Sequence, residues 1–143
     1  MVSLKGHGAY LDASTVIYAI EGHAQYSNLQ AGLLDPLDAG AFTAITSEIT
    51  LVETVVGPRK AGDVITEAKF RVFLTSKAKL ITQPITLAVL EKVIEFRTKH
   101  GLKIPDAIHL ATGVLAGCTV FVTRDASWAK TGVTVVEPQD IVP

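Results

Sequence analysis

The sequence predicts an α/β domain, a three-layer α/β/α sandwich around a central, mainly parallel sheet of four or five strands. Three observations predict it. Short apolar runs alternate along the chain with segments whose apolar residues recur at helical spacing, the order of strand–helix–strand units. The clearest strand candidate, Thr119-Val120-Phe121-Val122-Thr123, is a continuous β-branched and aromatic run, as in strands covered on both faces. The 143 residues, 48% hydrophobic and 19% charged, are enough for one core. No repeat, low-complexity stretch or long linker divides them, so residues 1–143 read as a single domain.

The elements follow in order. Ala9 to Asp12 is a short apolar run closed by an acid, a first buried strand. Ser14 can cap the helix expected over Thr15 to Ile20. A second helix is expected from Gln25 to about Ala39. Ala41 to Thr46 leans towards strand and is closed by Ser47. Glu48 to Val56 continues as helix, and Gly57-Pro58 is expected to stop it. Ala61 to Ser76 places Ile65, Ala68 and Val72 on one helical stripe, and Lys79 to Thr82 is a short strand. Leu87, Leu90 and Ile94 mark the next helix, which ends near His100-Gly101. Pro105 suits the first turn of another helix, where a missing N–H costs nothing. In that helix Ile104, Ile108, Ala111 and Leu115 repeat at helical spacing up to Gly117. Thr119 to Thr123 and Val133 to Val136 are the last two strands.

Composition narrows the setting. No segment has the 18 or so apolar residues that a membrane helix needs, and Met1 to Gly8 lacks the apolar core of a signal peptide. Cys118 is the only cysteine, so no intrachain disulfide can form, and a reducing, cytoplasmic setting is expected. The net charge of −1 hides an asymmetry. The first third of the chain is acidic, whereas Arg59, Lys60, Lys69, Arg71, Lys77 and Lys79 face only Asp63 and Glu67. If four carboxylates are set aside as a neutralised site, basic side chains outnumber the remaining acids. That balance is compatible with a polyanionic substrate.

The acids carry the functional reading. In parallel sheets, ligands bind outside the carboxyl ends of the strands. Asp12 ends the first strand, and Asp125 follows the strand that ends at Thr123. Asp106 lies in the first turn of its helix, at the same edge, and Glu53 lies early in the helix after the second strand. Four carboxylates from four places can thus converge. Clustered carboxylates repel unless a cation neutralises them. Hard oxygen ligands select Mg²⁺, Mn²⁺ or Ca²⁺, and the chain offers no Cys/His set for zinc. One or two such ions could activate water against a phosphodiester.

Four segments, in this order, resemble the signatures of PIN domains: Tyr10-Leu11-Asp12-Ala13-Ser14, Thr46 to Glu53, Ile104-Pro105-Asp106-Ala107-Ile108-His109-Leu110-Ala111-Thr112, and Val122-Thr123-Arg124-Asp125. The resemblance spans nearly the whole chain and is closest to the VapC toxins of toxin–antitoxin pairs. It implies a Mg²⁺- or Mn²⁺-dependent endoribonuclease with Asp12, Glu53, Asp106 and Asp125 as catalytic, metal-holding quartet. It implies supporting hydroxyls at Ser14 and Thr123, a homodimer, and a cognate antitoxin that plugs the site, with tRNA and rRNA as candidate substrates. Arg124 stands where the family often has Asn, a departure that bears on substrate contacts and not on the quartet.

Several residues have plainer readings. Asp12 and Asp125, each taken alone, suit turn or cap roles. Asp106 alone could answer the helix dipole. Glu53 has Leu51, Val52 and Val55 as neighbours, and a carboxylate there needs a partner. Glu48 competes with it on the same helix and suits a capping role, with a smaller claim on the metal. His109 shares a face with Asp106 and is expected to be a satisfied structural histidine, since a metal-activated water needs no imidazole base. Trp128 is expected to pack rather than stack on a base. Arg59, Lys60 and Arg71 are as well explained by a solvated helix face as by RNA contact, and Arg124 is a further candidate contact. Two other classes fit less well. A response-regulator receiver wants adjacent acids after its first strand, where Leu11 precedes Asp12. A DNA-flap nuclease needs more helices than this chain can hold. A catalytically silent PIN-fold module that binds RNA or protein is the alternative, against which the four retained acids speak.

Overall fold

The computed structural model describes residues 1–75, 78 and 80–143. β1 (Val2–Ser3) leads to β2 (Gly8–Leu11) and α1 (Ala13–Glu21). A 3-10 turn (Ala24–Tyr26), a π-helical turn (Gln30–Leu34) and α2 (Asp35–Asp38) follow. Next come β3 (Thr43–Ser47), α3 (Ile49–Ala61), α4 (Val64–Thr75) and β4 (Leu80–Gln83). Then come α5 (Leu87–His100), α6 (Ile104–Leu115) and β5 (Val120–Val122). A 3-10 segment (Ala126–Thr131), β6 (Val135–Val136), a 3-10 turn (Pro138–Asp140) and β7 (Ile141–Val142) complete the order.

The central sheet has five strands in the order β4-β3-β2-β5-β6, and every pairing is parallel. Side chains alternate across it. Ala9 and Leu11 of β2, Ala44 of β3, and Val120 and Val122 of β5 enter one apolar core with Val16, Leu29, Leu33, Val55 and Phe70. Tyr10, Ile45 and Phe121 enter the other, under Val89, Val93 and Phe96 of α5 and Ile108, Leu110 and Ala111 of α6. Both faces are therefore covered, which is why the strands read as unbroken apolar runs. Each large side chain buried this way contributes roughly 1.5–3 kcal/mol of transfer free energy. The three-layer sandwich expected from the sequence is the observed fold. Among the described residues no helix is long and apolar enough to cross a membrane.

Several expectations need correction. α1 is capped by Asp12 rather than Ser14, since Oδ1 of Asp12 accepts from the Thr15 N–H at 2.8 Å. The helix expected from Gln25 to Ala39 is broken into a 3-10 turn, a π-helical turn and the short α2. Gly32 there packs so tightly on Ile141 that an added Cβ would lie 2.8 Å from its Cγ2. α3 does not stop at Gly57-Pro58 but runs on to Ala61. Pro58 removes one donor, yet its turn is held from outside. Arg59 donates to both carboxylate oxygens of Glu67 on α4, at 3.1 and 2.7 Å, and Gly62 ends the helix at φ 71°. β1 and β7 form a separate parallel pair that the sequence reading did not anticipate. Ser76, Lys77 and Lys79, which the sequence reading put in a helix end, a basic stretch and a strand start, lie outside the described residues.

Candidate active site

β2 and β5 are neighbours and end at the same edge, so the residues that follow them meet. Asp12 is almost buried, at 9% exposure. Its Oδ2 accepts from the Thr123 hydroxyl at 2.7 Å, and that hydroxyl accepts from the Asp125 N–H at 3.0 Å. One threonine thus ties the two strand ends together. Asp125 caps the 3-10 segment after β5, its Oδ1 accepting from the N–H and the hydroxyl of Ser127. Asp12 and Asp125 both act as caps, and a carboxylate with two oxygens and several lone pairs has room for a further contact.

α6 runs back along the sheet, so its first turn, with Asp106, lies at this edge. Burial raises the Asp106 pKa above the usual aspartate range, and the charges of Asp125 and Glu53 push it the same way, against a lowering by His109. Glu53, with its side chain 34% exposed, projects from α3 and meets the buried His109 of α6, Nε2 to Oε1 at 2.6 Å. On the other side of the ring, Nδ1 of His109 meets the Tyr10 hydroxyl at 2.5 Å. Burial drives the Tyr10 pKa well up, so the phenol keeps its proton and can donate to Nδ1. The ring of His109 thus bridges the Tyr10 hydroxyl and the Glu53 carboxylate through its two nitrogens.

Asp12, Glu53, Asp106 and Asp125 all line one cavity of about 200 Å³, whose wall also holds Ser14, Thr123, Arg124, His109 and Trp128. Trp128 is buried and packs on Phe121 and His109, the packing role expected of it. Its indole N–H has no partner among the described residues. The four carboxylates fit a hard divalent cation, since each offers the anionic oxygens that such an ion prefers. Among the described residues, however, no three Asp, Glu, His or Cys side chains are already gathered as a metal-holding group. Glu53 is turned onto His109, and Asp12 is held by Thr123 and by the start of α1.

Other expected site residues lie elsewhere. Glu48 precedes α3, and its Oε1 accepts from the Ile85 N–H at 2.9 Å, holding the loop before α5 rather than lining the cavity. Arg59 and Arg71 share the carboxylate of Glu67, whose pKa they pull down to about 2. Neither they nor Lys60 line the cavity. His109 is satisfied as expected, but its partner is an acid of the site. The spacing of three from Asp106 puts His109 on the same helix face, but it gives no signal for the link to Glu53.

The model of the PIN domain matches residues 9–133. The chain belongs to the PIN domain family. This PIN domain has a VapC-like fold. It resembles a chain of a toxin–antitoxin complex from Klebsiella pneumoniae at 25% identity and a TM-score of 0.66, over 92% of this chain and 98% of that one. It resembles a chain of VapBC2 from Rickettsia felis, solved with a DNA fragment from its promoter, at 22% identity and a TM-score of 0.67, over 90% and 97%. It also resembles Mycobacterium tuberculosis VapC20, a Sarcin-Ricin loop cleaving toxin, at 16% identity and a TM-score of 0.71, over 92% and 100%. No match is found among the curated proteins.

Proposed function

We propose that this PIN domain is a Mg²⁺- or Mn²⁺-dependent endoribonuclease and the toxin of a toxin–antitoxin pair. The observation that carries the reading is that four carboxylates, from four separate elements, line one cavity at the carboxyl edge of a parallel sheet. Asp12, Glu53, Asp106 and Asp125 would hold the ion. Once bound, it supplies Lewis-acid activation of a phosphodiester and of the attacking water. Thr123 fixes the direction of the Asp12 carboxylate, and His109 does the same for Glu53. Ser14 adds a hydroxyl at the wall.

The partner reading has its own support. An apolar groove of about 750 Å³ runs between α1 and α4, with Ala19 and Ile20 on one side and the exposed Val64, Ile65 and Val72 on the other. Such a surface suits an apolar segment of an antitoxin. A homodimer, RNA as substrate and a cytoplasmic setting belong to the same reading.

The test is cleavage of a tRNA and rRNA mixture by the purified protein with Mg²⁺, with Mn²⁺ and with EDTA, beside Asp106→Asn. Discrete products that need metal and vanish in the variant are expected. Intact RNA under every metal would instead favour a PIN fold used for binding alone.

A further inference from the structure

A second, smaller cavity lies next to the acidic one. It measures about 140 Å³ and is lined by Tyr26, Arg124, Glu137, Pro138 and Gln139. Arg124 follows β5 and Glu137 follows β6, the paired neighbour, so both stand at the carboxyl edge of the sheet. Arg124 lines both cavities and is the one cationic side chain among the described residues of either lining, His109 aside. Its guanidinium is set in place. It donates to the Tyr18 hydroxyl at 2.9 Å and lies 5.9 Å from the centre of the Tyr18 ring. That ring stacks on Tyr26 with centroids 4.1 Å apart. Across the cavity, the Gln139 amide donates to Glu137 Oε2 at 3.1 Å, which steadies the carboxylate.

A fixed cation between an acidic cavity and a small polar one has a clear chemical match in a nucleic acid strand. We propose that the second cavity is a nucleotide subsite flanking the cut: Arg124 takes the phosphate that joins the flanking nucleotide to the one at the acidic site, and Glu137 accepts hydrogen bonds from that flanking nucleotide. Arginine's fork suits phosphate, and its pre-set position lowers the ordering cost of each contact. A carboxylate can only accept, so the nucleotide must offer a donor, either a ribose 2′-OH or an amino group on a base edge. This subsite rests on the ribonuclease reading.

The test measures binding of fluorescein-labelled random 12-mer RNA, and of the same pool as DNA, by anisotropy in EDTA over a range of salt. Wild type is compared with Arg124→Ala, Arg124→Lys and Glu137→Gln, with circular dichroism as a check on folding. Arg124→Ala should weaken RNA binding by about tenfold and make the salt slope shallower by about one, while Arg124→Lys keeps most of the slope. Glu137→Gln should narrow the preference for RNA over DNA if the donor is the 2′-OH. If the donor is a base amino group, it should weaken RNA and DNA binding equally. Wild-type-like binding in Arg124→Ala and Glu137→Gln, in a protein that does bind and cleave RNA, would overturn the subsite alone. No RNA binding by the wild type would overturn the subsite, whereas the nuclease reading falls only if RNA also stays intact with Mg²⁺ and with Mn²⁺.

Discussion

Asp106 concentrates the electrostatic cost of the site. Burial and the charges of Asp125 and Glu53 raise its pKa, so the folded chain holds that proton more tightly than the unfolded chain does. Between the unfolded and folded values the folded state therefore binds more protons, and stability falls as pH rises through that window. The penalty is complete above the folded value. In EDTA, Asp106→Asn should thus melt higher than wild type at neutral pH, and scanning calorimetry should show the gap closing as pH drops through the carboxylate range. A variant that melts lower at neutral pH would mean that the ionised carboxylate is favourably held. Residue by residue, the site was only partly legible. Asp12, Asp106 and Asp125 could be placed because strand ends and a helix start have local signals. The Glu53–His109 bond could not, because it joins residues 56 apart and depends on how α3 packs against α6.

The elements place those residues, and the fit of α6 on the sheet is close. Gly113 faces Tyr10 and Phe121, and an added Cβ would sit 2.2 Å from Phe121 Cε2 and 3.0 Å from Tyr10 Cδ2. An isolated helix would gain about 1 kcal/mol from Gly→Ala. Here overpacking should win, so Gly113→Ala should destabilise the chain by about 1–3 kcal/mol in urea unfolding. Because Tyr10 also holds His109, the same change should disturb the wall of the acidic cavity. A stabilised variant would show that the sheet can give way at this point. Most elements were legible from periodicity and β-branched runs. The exceptions have physical causes. The turn after Pro58 is held by Arg59 and Glu67, a contact between helices. The segment before α2 loses regular helix where Gly32 meets Ile141, which is distant in sequence.

At the scale of the whole molecule, the two ends of the chain are stitched together. β1 pairs with β7, Ile141 is fully buried, and the Asn28 amide donates to the carbonyls of Pro138 and Ile141, each at 2.9 Å. Strands of two residues carry no periodic signal, which is why this pair was not read from the sequence. Ile141→Ala should cost about 2–5 kcal/mol in urea unfolding, and a change near zero would mean that the terminal pair adds little to the core. The parallel sheet itself brings the four carboxylates to one edge, and that convergence is the centre of the account. Calorimetric titration with Mn²⁺ tests it most directly, on wild type and on Asp12→Asn, Glu53→Gln, Asp106→Asn and Asp125→Asn. Saturable binding is expected, weakened by each substitution by at least about tenfold while the fold is kept. Binding as tight as wild type in two or more of the four variants would contradict it.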